Sequence, residues 1–221
     1  MQPSALGIIF DWDGVIIDSS RQHEESWERL AVEQRRALPA NHFKLGFGRK
    51  NEWIIPHLLH WTDDPGEIRR LSLRKEALYR TIVVERGLHA LPGVPEFIAR
   101  LRAAGVPYAV GSSTHRENIL TILGVTGLAG LFSELVTAED VTHGKPHPEV
   151  FLKAAEKLRR EPARCIVFED ALAGIEAARA GGMKVVGVAT THPAAALGMT
   201  DRVVRRLDEL TVADLVALVS G

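Results

Sequence analysis

Five short apolar runs constrain the fold of this chain more than any other feature: Gly7 to Phe10, Val106 to Gly111, Leu131 to Thr137, Cys165 to Phe168 and Lys184 to Ala189. Most lack a period-2 alternation of apolar and polar residues. A strand of that kind is covered on both faces, as in a parallel sheet flanked by helices. Helical spacing fills the intervals, over Val94–Ala104, Arg116–Leu123, Pro148–Leu158 and Ala173–Ala180. Gly105, Gly124 and Gly181-Gly182 stand where helix C-termini are expected. Strands alternating with helices predict an α/β fold built on a doubly wound parallel sheet.

The stretch from about Ser19 to Leu91 breaks that rhythm. It holds no convincing strand, and helical spacing recurs in Trp27, Leu30, Ala31 and Gln34, then from Ile68 to Ile82. Three of the four tryptophans (Trp27, Trp53 and Trp61) fall here and are expected to build a small helical core. A length of 221 residues accommodates one domain carrying a smaller inserted one. The expected division is a core of residues 1–18 and 91–221 with an all-helical module over 19–90.

Composition removes several classes of function. A formal net charge of -1 gives no field that would attract nucleic acid or an anionic membrane. The single cysteine, Cys165, cannot form an intramolecular disulfide, and its place before Ile166-Val167-Phe168 marks a buried structural thiol. Asp11 interrupts the one apolar run near the N-terminus, so neither a signal peptide nor a membrane span is expected, and a reducing cytoplasm is the default location. Nothing advertises a large interface, so a monomer is expected.

The chemistry-bearing residues follow the strands. The first run ends in Asp11-Trp12-Asp13-Gly14-Val15, with two carboxylates that repel each other and call for a cation. Val110-Gly111-Ser112-Ser113-Thr114 puts hydroxyls after the second run. Gly144-Lys145-Pro146 supplies a lysine in a segment that proline biases towards extended geometry, and Phe168-Glu169-Asp170 closes another run with two acids. Each segment alone is ordinary for a turn or loop. Together they gather reactive groups at the C-terminal ends of parallel strands, where open α/β sheets bind their ligands. A hard cation such as Mg²⁺ takes oxygen ligands. With a lysine it neutralises a phosphoryl group in transfer, while a carboxylate attacks and a second one moves protons.

In these four segments the chain resembles the haloacid dehalogenase (HAD) superfamily, in the branch with a helical cap inserted after the first motif. Asp11-Trp12-Asp13-Gly14-Val15 matches the first motif, Ser112 the second and Lys145 the third. Glu169-Asp170, followed by Gly174-Ile175 and Ala177-Ala178, matches the fourth. The resemblance implies a Rossmann-like core, Asp11 as nucleophile and Asp13 as general acid/base. It implies Mg²⁺ held by Asp11, the Asp13 main-chain carbonyl and Asp170, with Glu169 in or near the shell. Ser112, with Ser113 beside it, and Lys145 would grip the phosphoryl oxygens. Trp12 departs from the usual Leu or Met and is expected to bear on packing under the cap. Asp13 and the Glu169-Asp170 pair disfavour dehalogenation, which generally lacks the second Asp and needs no metal.

The inserted module is similar to that of β-phosphoglucomutase and its sugar-phosphatase relatives. His23 lies ten positions after Asp13, Gly46-Phe47-Gly48-Arg49 resembles a substrate loop, and Lys75 matches a cap lysine. Two readings stand open for each: a satisfied buried histidine or a catalytic helper at His23, and surface charges or substrate contacts at Arg49 and Lys75. Mutases continue their second motif with Lys-Asn where this chain has His115-Arg116. Their cap loop reads Gly-x-Ser-Arg, then Ser-Leu, where this chain has Gly48 before Arg49 and then Glu52-Trp53. Arg49 and Arg116 remain available to an anion, but the distal-phosphate site is altered. The expectation is therefore a phosphatase for a small phosphorylated metabolite, with a phosphosugar mutase as alternative. A phospho-Asp receiver domain is remote, because its phosphorylated Asp lies on a middle strand and it needs no lid. The cap is expected to close over substrate, hinging near Ile17 to Ser19 and Leu88 to Pro92.

Overall fold

The computed structural model describes residues 5–46 and 49–220. Phe47 and Gly48, in the expected substrate loop, lie outside the described residues. Six parallel strands form one sheet in the order β3-β2-β1-β4-β5-β6. They are β1 Gly7–Phe10, β2 Tyr108–Gly111, β3 Leu135–Val136, β4 Cys165–Glu169, β5 Lys184–Val188 and β6 Arg202–Val204. The helices are α1 Ser20–Gln34, α2 His42–Gly46, α3 Asn51–Trp53 (continued by a wider turn over Ile54–Leu58), α4 Pro65–Arg86, α5 Val94–Ala103, α6 Arg116–Thr126, α7 Glu149–Lys157, α8 Leu172–Ala180 and α9 Val212–Ser220.

Every residue of β1 and β4 is buried, as a central parallel strand requires. Side chains alternate across the sheet. Ile9 and Val167 join Phe151, Ala154 and Ile175 on one face. Phe10 turns to the other, where its ring lies 5.3 Å from Phe168 and 6.1 Å from Phe97. Trp12 is fully buried and lies edge-on to Phe132 at 5.8 Å.

Three sequence expectations are corrected. The run Leu131 to Thr137 contains only a two-residue strand; Phe132 is apolar because it packs against Phe10, Trp12 and Tyr108. Helix α6 does not stop at Gly124 but runs to Thr126 and ends at Gly127, whose φ of +71° suits a residue without Cβ. Trp53 is 37% exposed beneath the Arg49 guanidinium, 4.7 Å from its ring, whereas Trp27 and Trp61 enter the helical core as expected.

The chain forms two compact units, one of residues up to Asp18 with those from His89 onward, the other Ser19–Leu88. In the first, Ile17 bridges Ala90 and the Leu91 amide donates to the Ile16 carbonyl at 2.9 Å, so the outgoing and returning segments run side by side. In the second, α1 packs on α4, burying Trp27, Leu30, Ile55, Trp61, Leu71 and Leu78. Helix α4 begins with Asp64, whose carboxylate accepts from the Glu67 amide at 2.7 Å, followed by Pro65 in the first turn. Among the described residues no helix is long and apolar enough to cross a membrane.

Candidate active site

The register of the sheet brings the four chemical segments together. Asp11 follows β1 and donates its amide to the Phe168 carbonyl of β4 at 3.0 Å; Ser112 follows β2 and donates to the Val136 carbonyl of β3 at 2.9 Å. Glu169 is the last residue of β4 and Asp170 follows it. All leave the sheet at the same edge because every strand points the same way.

Lys145, on the segment between β3 and α7, reaches into this edge. Its Nζ lies 2.8 Å from Asp11 Oδ1 and 2.6 Å from Glu169 Oε1. Glu169 Oε2 accepts from the Ala171 amide at 2.7 Å. Burial alone would depress the Lys145 pKa, but the charges of Asp11 and Glu169 outweigh it and hold the ammonium above its ordinary value. The acids bear the opposite strain. Burial pushes Glu169 upward against the pull of Lys145, and burial with the charges of Glu169 and Asp11 pushes Asp170 up to about 8.

Asp11, Glu169 and Asp170 each offer an oxygen within 4.8 Å of the others. Three buried carboxylates served by one ammonium leave excess negative charge. That donor set fits a hard divalent cation with oxygen ligands, which would relieve the repulsion.

Glycines make the approach possible. A Cβ on Gly14, where φ is +78°, would stand 2.0 Å from Asp170 Oδ2, and one on Gly174 would stand 1.6 Å from Glu169 Oε1. Asp13 is partly buried, and its Oδ2 accepts from Thr114 Oγ1 at 2.6 Å. Ser112 is buried, with Oγ accepting from the Thr114 amide at 3.1 Å, while Ser113 is exposed.

The structure adds residues that the sequence did not single out. Thr114 orients Asp13; Thr191 hydrogen-bonds Asp170, and Thr190 Oγ1 donates to the Gly14 carbonyl. Thr114 stood in the hydroxyl-rich segment after β2, so its signal was present. The two threonines after β5 carried none beyond their position at a strand end.

The candidates Arg49, His23 and Lys75 belong to the helical unit. Lys75 is buried, with Nζ 2.7 Å from His23 Nδ1 and 3.0 Å from Glu76 Oε1. The ammonium donates, so His23 Nδ1 accepts and the ring is neutral. The His23 ring stacks on Tyr79 at 3.9 Å, and burial together with Lys75 lowers its pKa to about 3. Burial alone would raise Glu76, but the charge of Lys75 and a 2.7 Å bond from Asn51 hold it well below the usual carboxylate range. Asn51 and Glu76 went unnoticed in the sequence because their link to Lys75 depends on folding. Arg49 is exposed over Trp53. Arg116, in the first unit, is held by Asp140 at 2.7 Å.

Comparison with known proteins identifies the family. A family model for haloacid dehalogenase-like hydrolases matches residues 6–182. The chain is 41% identical over 213 residues to the chloroplastic 5-amino-6-(5-phospho-D-ribitylamino)uracil phosphatase of Arabidopsis thaliana, covering 95% of this chain and 57% of that one. It is 33% identical to the validoxylamine A 7'-phosphate phosphatase of Streptomyces hygroscopicus subsp. limoneus, covering 91% of this chain and 94% of the relative. Among solved structures, a family IA, variant 3 HAD hydrolase from Entamoeba histolytica superposes with a TM-score of 0.89 at 26% identity over 100% of both chains. The chain belongs to the haloacid dehalogenase-like hydrolases.

Proposed function

We propose that this enzyme hydrolyses a small phosphomonoester, of the sugar- or polyol-phosphate class, by way of a phosphorylated Asp11. The observation that carries the reading is Lys145, whose Nζ bridges Asp11 Oδ1 and Glu169 Oε1 at 2.8 and 2.6 Å beside Asp170. The polyol class is supported by the Arabidopsis relative, whose name describes a phosphorylated ribityl chain.

Asp11 attacks the phosphorus through a carboxylate oxygen, and the bond to the leaving alkoxide breaks. Asp13 donates the proton that the alkoxide takes up, then accepts one from the water that cleaves the acyl phosphate. Thr114 holds Asp13 for both transfers. Ser112 and Lys145 orient and neutralise the phosphoryl oxygens. Asp11, Asp170 and the Asp13 carbonyl, with Glu169 beside them, would hold Mg²⁺, which would supply Lewis-acid neutralisation of the transferring group.

The direct test is phosphorus NMR with Mg²⁺ and a panel of sugar and polyol phosphates, including β-glucose 1-phosphate primed with the 1,6-bisphosphate. Inorganic phosphate should accumulate and stop on chelation. Asp11→Asn should fold and lose turnover by about 10⁴-fold or more. Conversion to glucose 6-phosphate without free phosphate would make the enzyme a mutase instead.

A further inference from the structure

Outside the acidic cluster, the described residues hold a second group of metal-ligating side chains, His143, His147 and Glu149. We propose that these three bind a transition-metal cation of the zinc class at a site chemically distinct from the all-oxygen cluster of Asp11, Glu169 and Asp170.

The loop is already closed on its own carboxylate. Glu149, the first residue of α7, accepts from the Thr142 amide at 3.1 Å and the His143 amide at 2.9 Å. The His147 amide donates to the Gly144 carbonyl at 3.1 Å. These bonds fix the backbone of all three residues before any ion arrives. Lys153 Nζ lies on Glu149 Oε1 at 2.8 Å, while Oε2, which accepts the His143 amide at 2.9 Å, also faces the His143 ring.

His143 Nδ1 lies 3.3 Å from Glu149 Oε2. Two ligands on one tetrahedral ion, with bonds of about 2.0–2.1 Å, stand about 3.3 Å apart, so the ion takes the place of the proton between these atoms. The His147 ring lies 4.7 Å from the His143 ring. Its Nδ1 accepts a long 3.3 Å bond from the Glu149 amide, one that is readily exchanged for a metal bond. The ligating atoms of the three lie within 4.8 Å of one another, so closure shortens their separations by up to about 1.5 Å, through exposed imidazoles.

Donor type separates the two sites. Two imidazoles and one carboxylate favour Zn²⁺, Co²⁺ or Cu²⁺, whereas Mg²⁺ prefers oxygen and retains its waters. An excess of Mg²⁺ therefore fills the buried cluster and leaves the histidine site to the softer ion. The site lies on the segment that carries Lys145, two residues from each imidazole.

The test is a Co²⁺ titration of the full, tag-free protein in a large excess of Mg²⁺, read by visible absorption and calorimetry. One equivalent should bind and give ligand-field bands. His143→Gln and His147→Gln should each weaken that binding about tenfold or more with unchanged far-ultraviolet circular dichroism, and Asp170→Asn should leave it intact. Co²⁺ binding that vanishes in excess Mg²⁺, or that persists unchanged in both histidine variants, would overturn the site.

Discussion

At the scale of single residues, the geometry around Glu169 depends on a missing methyl group. A Cβ at position 174 would fall 1.6 Å from Glu169 Oε1, the atom that accepts from Lys145. Gly174→Ala must therefore turn Glu169 away or shift α8. Overpacking of this kind costs about 1–3 kcal/mol, which a lowered urea midpoint would register. Turnover should fall with it, because Lys145 loses one of its two anchors; an unchanged kcat would mean that Glu169 is not needed to place the lysine. Thr114 acts one step further from the substrate. Thr114→Val removes the hydroxyl that donates to Asp13 at 2.6 Å while keeping the shape of the side chain. The expected result is a fall in kcat of about tenfold, KM little changed, a displaced pH profile, and recovery in Thr114→Ser. If Thr114→Val altered only stability, Thr114 would be a scaffold residue rather than a positioning one.

At the scale of elements, α1 and α4 are joined by a polar group as well as by the tryptophan core. His23 from α1 accepts from Lys75 of α4, and Lys75 is paired with Glu76. His23 has its pKa lowered from 6.5 to about 3, so the unfolded chain takes a proton on this imidazole that the folded chain refuses. Glu76, held low, adds to the same effect below its ordinary value of 4.5. The stabilisation is complete above pH 6.5 and is lost as pH falls towards 3. Asp170, pushed up to about 8 without a cation, titrates with the opposite sign, so the test is the difference between variants in excess Mg²⁺: between pH 7 and 4 the denaturation midpoint of His23→Gln should fall less than that of the wild type, above all between 6.5 and 4.5. Equal pH dependence in the two proteins would remove His23 as the titrating group. The same elements show why part of the fold was legible. β1 and β4 are buried throughout, so burial wrote a continuous apolar run into each. β6 escaped notice because an edge strand of three residues beginning with Arg202 leaves no such run. The Lys75–Glu76–Asn51 network could not be read either, since α4 shows only a charged segment until α1 and α3 are folded beside it. At the sheet edge, by contrast, parallel topology alone puts the strand ends together, so Asp11, Ser112 and Glu169-Asp170 could be anticipated as a group.

Over the whole molecule the net charge of -1 gives no long-range field, so the strongest electrostatic feature is local. Asp11, Glu169 and Asp170 are buried together with Lys145 as their cationic partner, and burial with the charges of Glu169 and Asp11 pushes Asp170 up to about 8. On the proposed reading the folded cluster holds a divalent cation whose ligands the unfolded chain scatters, so Mg²⁺ is expected to stabilise the native state by mass action. At a hundred times its dissociation constant the gain is about 2.7 kcal/mol. For a protein of this size, at about 2–4 °C per kcal/mol, that corresponds to a rise in Tm of roughly 5–11 °C. Asp170→Asn separates the two parts of the argument. It removes one repelling charge and one ligand at once, so the variant should be more stable than the wild type without Mg²⁺ and should gain much less when Mg²⁺ is added. Calorimetric scans of both proteins with chelator and with Mg²⁺ distinguish the signs. If Mg²⁺ raised both melting temperatures equally, the cation would be binding elsewhere, and the carboxylate cluster would have to be balanced by protons rather than by metal.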